Sequence, residues 1–192
     1  MTYRLDPATS WLYVVVFNDP TTMAARLGHD HGIRASTFDG TVVWDAANPA
    51  ACKVDLSFPV SALTPDPPGM RERAGLSPDG AVGDSSLATI KENLLGKSQL
   101  DAATYPTIRY TATACSGATG KVKVDGKLTI HGVTKPVSIT LDVKADPTSF
   151  SAAGSTTVVQ SDFGFKPFSN LAGALKNKDE LKLVLDLKGA AK

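Results

Sequence analysis

The stretch from Val122 to Val143 alternates apolar and polar residues with a period of two, and a single break interrupts the alternation. The apolar positions are Val122, Val124, Leu128 and Ile130 before the break and Val137, Ile139, Leu141 and Val143 after it. Gly132 and Pro136 lie in the break and suit a change of chain direction. A period of two lets a strand bury one face. The stretch therefore predicts a hairpin of two antiparallel strands.

Similar alternation recurs along the chain and sets the fold class. It is clearest from Lys53 to Val60 and from Leu181 to Leu187, whereas Ser10 to Phe17 is apolar without alternation. An apolar strand of that kind is typical of one covered on both faces. We count about eight strands with turns between them and no regular exchange of strand with helix. This pattern excludes parallel βαβ folds and leaves an antiparallel barrel or sandwich.

The longest interruption of the strand pattern lies at residues 61–84, which are rich in Pro and Gly. Regular structure cannot continue far through such a segment, so it is expected to be a long loop, either a functional lid or disordered. After it, Leu87, Ile90 and Leu94 recur at helical spacing. A short helix near 86–95 is expected, with Ser85 or Ser86 as N-cap and Gly96 as its C-terminal stop.

Five strings in order along the chain resemble the YceI-like, lipocalin-like proteins of bacteria. They are Tyr3–Ser10, Phe38–Gly40, Tyr105–Tyr110, Leu128–Val137 and Ser161–Phe165. The resemblance implies one domain over residues 1–192, folded as an extended antiparallel β-barrel of about eight strands, and polyisoprenoid binding. The Gly28–Gly32 string and the Pro-rich loop around Arg71 and Arg73 depart from the family pattern. They indicate a divergent branch.

Composition restricts the partners. The chain has 20 Lys and Arg against 19 Asp and Glu, a net charge of +1, and no basic run, which argues against nucleic-acid binding. No run approaches the roughly 20 apolar residues of a membrane span, so a soluble protein is expected. The chain as it stands shows no secretory leader, which favours the cytoplasm. A trimmed leader would make the protein periplasmic or secreted, as relatives that resemble it often are.

The two cysteines are expected to be free thiols. Cys52 shares the phase of Val54, Leu56 and Phe58, whereas Cys115 is out of phase with the apolar residues before it. Side chains of opposite phase point to opposite faces of a sheet, which argues against a disulfide. Two free thiols are typical of a reducing compartment.

The apolar phase of each strand supplies the candidate ligand site. A barrel of about eight strands can enclose one elongated apolar ligand, and the resemblance implies a polyprenyl lipid or an isoprenoid quinone, bound and carried or sequestered without catalysis. No further cofactor is required. Tyr110 and Trp44 carry polar atoms that could meet a head group. The candidate lining residues are Val42, Trp44, Leu56, Phe58, Ile108, Tyr110, Val124, Leu128, Ile139 and Leu141.

Three alternatives remain open from the sequence. His29 and His31 share one face of a strand at metal-ligand spacing, and with His131 they could hold a catalytic metal ion. The parity of His131 opposes this hypothesis, because on a regular strand its side chain would point away from the other two. The chain could instead be a stress-response module whose loop at 61–84 meets a partner, and it could form a homodimer.

Overall fold

The structure, a computed structural model, describes residues 1–118 and 120–192. In that part of the chain there are twelve β-strands and two short α-helices. The strands are β1 (Thr2–Leu5), β2 (Trp11–Asn18), β3 (His31–Ala35), β4 (Asp39–Val43), β5 (Lys53–Pro59), β6 (Leu63–Pro65), β7 (Thr107–Ala118), β8 (Lys121–Ile130), β9 (Val133–Ala145), β10 (Ser149–Val159), β11 (Ser169–Asn170) and β12 (Leu175–Ala191). The helices are α1 (Met70–Ala74) and α2 (Asp84–Leu95).

Eight of the strands close into an antiparallel barrel, which confirms the predicted fold class. Their order around the barrel is β1, β4, β5, β7, β8, β9, β10 and β12, and β12 pairs again with β1 to complete the circuit. Closure leaves this circuit without a free edge. The predicted hairpin is β8–β9, in which Val124 pairs with Ile139 and Val122 with Leu141.

The wall is longer on one side because β12 has two neighbours on the same edge. Its first part, from Asn177 to Asp186, pairs with β2, and its end, from Gly189 to Ala191, pairs with β1. Strands β3 and β6 then extend the wall beyond β2. We call the end of the barrel at which β12 begins the mouth. The turn at residues 131–132, the single helical turn Gln160–Phe163 and the start of β3 all lie at this end.

Strand β2 is covered on both faces, as its lack of alternation predicts. Leu12 and Val16 point into the barrel, whereas Tyr13 and Val15 form a second apolar cluster with Met70 of α1. Met70 is fully buried there. The helix therefore packs against the outside of the barrel wall and removes the apolar outer face of β2 from water.

The prediction of two free thiols is wrong, because Cys52 and Cys115 form a disulfide with their Cα atoms 6.0 Å apart. A β-bulge at Thr113 explains the error. Ala112 pairs with Gly126 and Ala114 with Asp125, so β7 has one residue more than β8 over this stretch. The extra residue reverses the phase of the strand beyond it, and the buried Cys115 points inward beside Cys52.

Residues 61–84 are more ordered than the expected loop. They contain β6, α1 and two short 3-10 turns, and Arg71 ties α1 to the strands through Asp66 and the carbonyl of Asp30. The expected helix exists as α2, but its N-cap is Gly83 rather than either serine, and it ends at Gly96 as predicted. None of its twelve residues is buried. No helix in residues 1–118 and 120–192 is long and apolar enough to cross a lipid bilayer.

Candidate functional site

An apolar cavity of about 180 Å³ runs through the barrel interior. All ten side chains that the sequence proposed as ligand contacts line it, namely Val42, Trp44, Leu56, Phe58, Ile108, Tyr110, Val124, Leu128, Ile139 and Leu141. They do so because each occupies the inward phase of its strand. That they touch a ligand remains a prediction.

Strands β2, β10 and β12 provide a further part of the lining, which the sequence does not predict. These strands contribute Leu12, Val16, Ala152, Val158, Leu181, Leu183, Leu185 and Leu187. The alternating leucines of β12 carried a usable signal. Strand β2 did not, because its outer face is apolar as well and periodicity cannot tell which side is inside.

Tyr110 and Trp44 each bring a polar atom into this apolar interior, and Thr156, Gln99 and Gln160 line it as well. The Tyr110 hydroxyl donates weakly to the carbonyls of Val124 and Val137, at 3.4 and 3.3 Å, and burial, followed by the charge of Asp125, raises the pKa of Tyr110 to about 12. Its ring lies directly over Gly126, where a Cβ atom would collide with it. The Trp44 indole N–H is buried without a partner among the described residues. It lies at the end opposite the mouth.

A second, larger chamber of about 590 Å³ lies at the mouth beneath α2. It adjoins the apolar cavity at five residues that line both spaces, Val16, Ile33, Leu94, Gln99 and Gln160. Its polar lining is made of hydroxyl, amide and imidazole groups, from His29, His31, Ser85, Ser86, Thr89, Asn93, Asn170 and Asn177. Among the described residues that line it there is no Lys, Arg, Asp or Glu.

Gln99 and Gln160 form the neck between the two spaces. Both are buried, and each amide nitrogen donates to backbone carbonyls: Gln99 to Lys166 at 3.1 Å and Gln160 to Lys178 at 2.8 Å. These bonds fix both amides, and within the described ranges neither amide oxygen accepts a hydrogen bond. The neck therefore presents acceptors in an otherwise apolar passage.

A buried charged cluster supports the wall of the chamber. The Asp66 carboxylate accepts from Gly32 N at 2.7 Å and from Arg71 Nη1 at 2.9 Å, and it lies 2.8 Å from His31 Nδ1. Burial alone would raise the pKa of Asp66, but the hydrogen bonds from His31, Gly32 and Arg71 outweigh it and the pKa is lowered. Asp66 thus stays ionised and orients the His31 ring at the chamber wall.

The three histidines do not come together in the structure, which therefore gives no support to the three-histidine metal site that the sequence offered. The rings of His29 and His31 are 6.4 Å apart at the start of β3, but His131 lies across the mouth in the β8–β9 turn. There its φ is +52°, and its ring packs against Tyr105 at 4.5 Å and Phe165 at 5.7 Å. Over residues 1–118 and 120–192, no three His, Cys, Asp or Glu side chains group closely enough to hold a metal ion.

Comparison with known proteins relates this geometry to one family. The model of the YceI-like domain matches residues 3–188. UPF0312 proteins of Pseudomonas putida (strain W619) and Pseudomonas fluorescens (strain SBW25) are 30% and 31% identical to the chain over 137 residues. Each of these matches spans 67% of this chain but only 60% of the relative's own length.

Solved structures share the fold at lower identity. The Burkholderia cenocepacia protein BcnA superposes with a TM-score of 0.71 at 21% identity, covering 96% of this chain and 98% of BcnA. A YceI protein of Campylobacter jejuni superposes with a TM-score of 0.63 at 16% identity, covering 83% and 84% of the two chains. At these identities the likeness supports the fold, and ligand chemistry has to come from the residues of this chain.

Proposed function

The chain belongs to the YceI-like family, and from that premise we propose that it binds an isoprenoid lipid, without catalysing a reaction on it. In this proposal residues 1–192 act as one domain that carries or sequesters the lipid. The prenyl tail occupies the apolar cavity and the head group occupies the chamber at the mouth. The observation that carries the proposal is the junction, across Gln99 and Gln160, of an apolar cavity with a polar chamber whose described lining contains no Lys, Arg, Asp or Glu.

The apolar cavity suits a tail rather than a compact polar molecule. Its lining consists almost entirely of aliphatic and aromatic side chains from every strand of the barrel circuit except β1. An apolar cavity of roughly 150 Å³ admits benzene, so a longer tail has to extend through the neck. The two spaces together fall within the roughly 300–1,000 Å³ range of small-molecule sites. Burial of ten methylene groups yields about 8 kcal/mol before association costs.

The lining of the chamber favours a neutral head group. Hydroxyl, amide and imidazole groups can pair with a carbonyl or hydroxyl, each at about 1 kcal/mol. A phosphate would enter a space lined by none of the described Lys or Arg residues, and burial of an unpaired charge is costly. A prenol or an isoprenoid quinone therefore fits better than a prenyl phosphate.

The disulfide also bears on the cellular compartment of the protein. Disulfides persist in oxidising compartments and are rare in the cytosol, and Cys52–Cys115 lines the apolar cavity. We therefore assign the protein to an oxidising compartment such as the periplasm. A role in a stress response, a partner for residues 61–84 and a homodimer remain predictions.

A pair of tryptophan substitutions on β12 tests the proposal. Leu183 lines the cavity, whereas the neighbouring Lys182 is exposed on the outer face. Leu183→Trp fills the cavity and is expected to lower affinity for a long-chain isoprenoid quinone at least tenfold in a titration of intrinsic fluorescence. Lys182→Trp, the matched control, is expected to bind as the parent does. Equal affinity of both variants would refute binding inside the barrel, and absence of binding by the parent would refute the choice of ligand.

A further inference from the structure

Three exposed apolar side chains cluster at the mouth of the barrel. Met23, Leu27 and Leu171 are 96%, 66% and 53% exposed. Met1, the remaining exposed large apolar residue of the described chain, lies at the opposite end, since the adjacent β1 pairs with the last residues of β12. Single exposed apolar residues need no explanation, but a cluster of them marks an interaction surface.

Two neighbouring segments hold this cluster together. Ala24 N donates to the carbonyl of Ala174 at 2.7 Å, and Asp19 N donates to the carbonyl of Lys176 at 2.8 Å. These bonds join the loop that carries Met23 and Leu27 to the segment that follows Leu171. Leu27 also lines the mouth chamber. The apolar cluster is therefore continuous with the opening of the proposed lipid site.

The backbone holds Leu171 outward at an energetic cost. Leu171 and Ala172 have φ values of +50° and +52°, a region that non-glycine residues rarely adopt. The Asn170 side chain accepts a hydrogen bond from Leu171 N at 2.7 Å and supports this conformation. A leucine side chain that a strained turn holds in solvent adds no buried apolar surface to the core of the isolated protein.

Cations surround the apolar cluster. Arg26, Lys176 and Lys178 are exposed, and none of them forms an ion pair within 4.0 Å with the carboxylates that the structure describes. The Asp19 carboxylate lies near Lys176 and Lys178, and it already accepts hydrogen bonds from the backbone N and the hydroxyl of Thr21. We call these six residues, Met23, Arg26, Leu27, Leu171, Lys176 and Lys178, the rim patch.

We propose that the rim patch docks the barrel mouth onto the surface of an anionic lipid bilayer. Apolar side chains flanked by Lys and Arg match the interface of such a bilayer, where the apolar groups enter the head-group layer and the cations pair with lipid phosphates. This orientation sets the opening of the chamber against the membrane. Its use for loading lipid rests on the proposed function, whereas docking itself requires no cargo.

Flotation with vesicles tests docking directly. The probes are vesicles of phosphatidylcholine mixed with phosphatidylglycerol and vesicles of phosphatidylcholine alone, all free of isoprenoid. We expect the parent protein to float with the anionic vesicles, and added salt to weaken this binding because the cations contribute. The triple variant Met23→Ser, Leu27→Ser, Leu171→Ser is expected to bind at least tenfold more weakly.

A charge-matched pair of variants isolates the position of the cations. Lys176→Glu with Lys178→Glu is expected to weaken vesicle binding at least about 25-fold, because the loss of each lysine near an anionic surface costs a factor of about five and each glutamate adds repulsion. Lys144→Glu with Lys188→Glu changes the net charge equally but lies towards the opposite end, and it is expected to bind like the parent. Far-ultraviolet circular dichroism and thermal melts verify the fold of every variant.

The outcomes separate docking from lipid carriage. Failure of the folded parent to float would overturn docking, even if the protein carries an isoprenoid. Equal flotation of all the variants would overturn the rim patch as the docking surface, and binding only to a protein partner would replace the bilayer as the occupant. Flotation by a protein without affinity for any isoprenoid would leave docking supported and refute carriage alone.

Discussion

Replacement of Asp66 by Asn should destabilise the protein far more than removal of a surface carboxylate. The Asp66 side chain is 4% exposed, and its partners His31 and Arg71 are 13% and 14% exposed. Little water can therefore reach these partners to solvate them once the carboxylate charge is removed. The side-chain carbonyl oxygen of an asparagine can still accept the hydrogen bond from Gly32 N, and asparagine tolerates the left-handed φ of +39° at this position. The substitution therefore removes the charge with little change in backbone preference.

The expected loss of stability depends on the hydrogen bonds that Arg71 keeps after the substitution. Removal of one partner from a buried ion pair costs about 3–5 kcal/mol. Arg71 also donates to the carbonyls of Asp30 and Ser77, so part of its charge stays solvated by the backbone. We expect the free energy of unfolding to fall by about 2–3 kcal/mol, and the melting temperature by about 4–12 °C for a chain of this size.

Urea unfolding of the parent, Asp66→Asn and Asp39→Asn provides the assay. Asp39 pairs with Arg4 in full view of solvent, and this control is expected to match the parent. The pKa of Asp66 is lowered by folding, so its contribution is present above the unfolded pKa of about 4 and is lost as the pH falls through the folded pKa. A loss for Asp66→Asn no larger than that for Asp39→Asn would refute the reasoning.

Three further substitutions test the barrel interior. Folding raises the pKa of Tyr110 from 10.0 to about 12. The parent should therefore lose up to about 2 kcal/mol of stability relative to Tyr110→Phe as the pH rises through this interval. An equal dependence of the urea midpoint on pH in the two proteins would contradict this prediction. The Cys52–Cys115 disulfide links residues 63 positions apart in the sequence. Its removal in the double variant Cys52→Ala, Cys115→Ala should lower the free energy of unfolding by about 4 kcal/mol. An unchanged urea midpoint for this variant would refute that value. Gly126→Ala should cost about 1–3 kcal/mol in thermal unfolding because Tyr110 has to move. Gly83→Ala, whose new Cβ meets open space, should cost less than about 1 kcal/mol, the penalty for alanine at the N-cap of α2.

The sequence predicts the barrel well because side-chain phase is a local property. Strands with one apolar face show their inward positions directly, and Val124, Ile139 and Leu141 line the cavity for that reason. Side-chain phase no longer predicts the inward positions where a β-bulge adds a residue to one strand. The bulge at Thr113 reverses the direction of Cys115, and no apolar pattern between Ala112 and Cys115 announces it.

The mouth is less predictable from the sequence because its residues come together through non-local packing. The sequence placed His29 and His31 on a strand, but the strand begins only at His31, and His29 lies in the loop before it. Gln99 and Gln160 carry no periodic signal and meet at the neck only after the barrel closes. The spacing of Leu87, Ile90 and Leu94 predicts helix α2, but the position of the helix over the mouth depends on its contacts with β6.

Native mass spectrometry of the protein purified from its own host, followed by extraction with organic solvent and mass analysis of the extract, tests the central claim most directly. We predict a species heavier than the bare chain by the mass of one neutral isoprenoid, either a prenol or a quinone, which the solvent releases. A mass equal to that of the bare chain in every charge state, or release of a prenyl phosphate in its place, would contradict the proposed ligand.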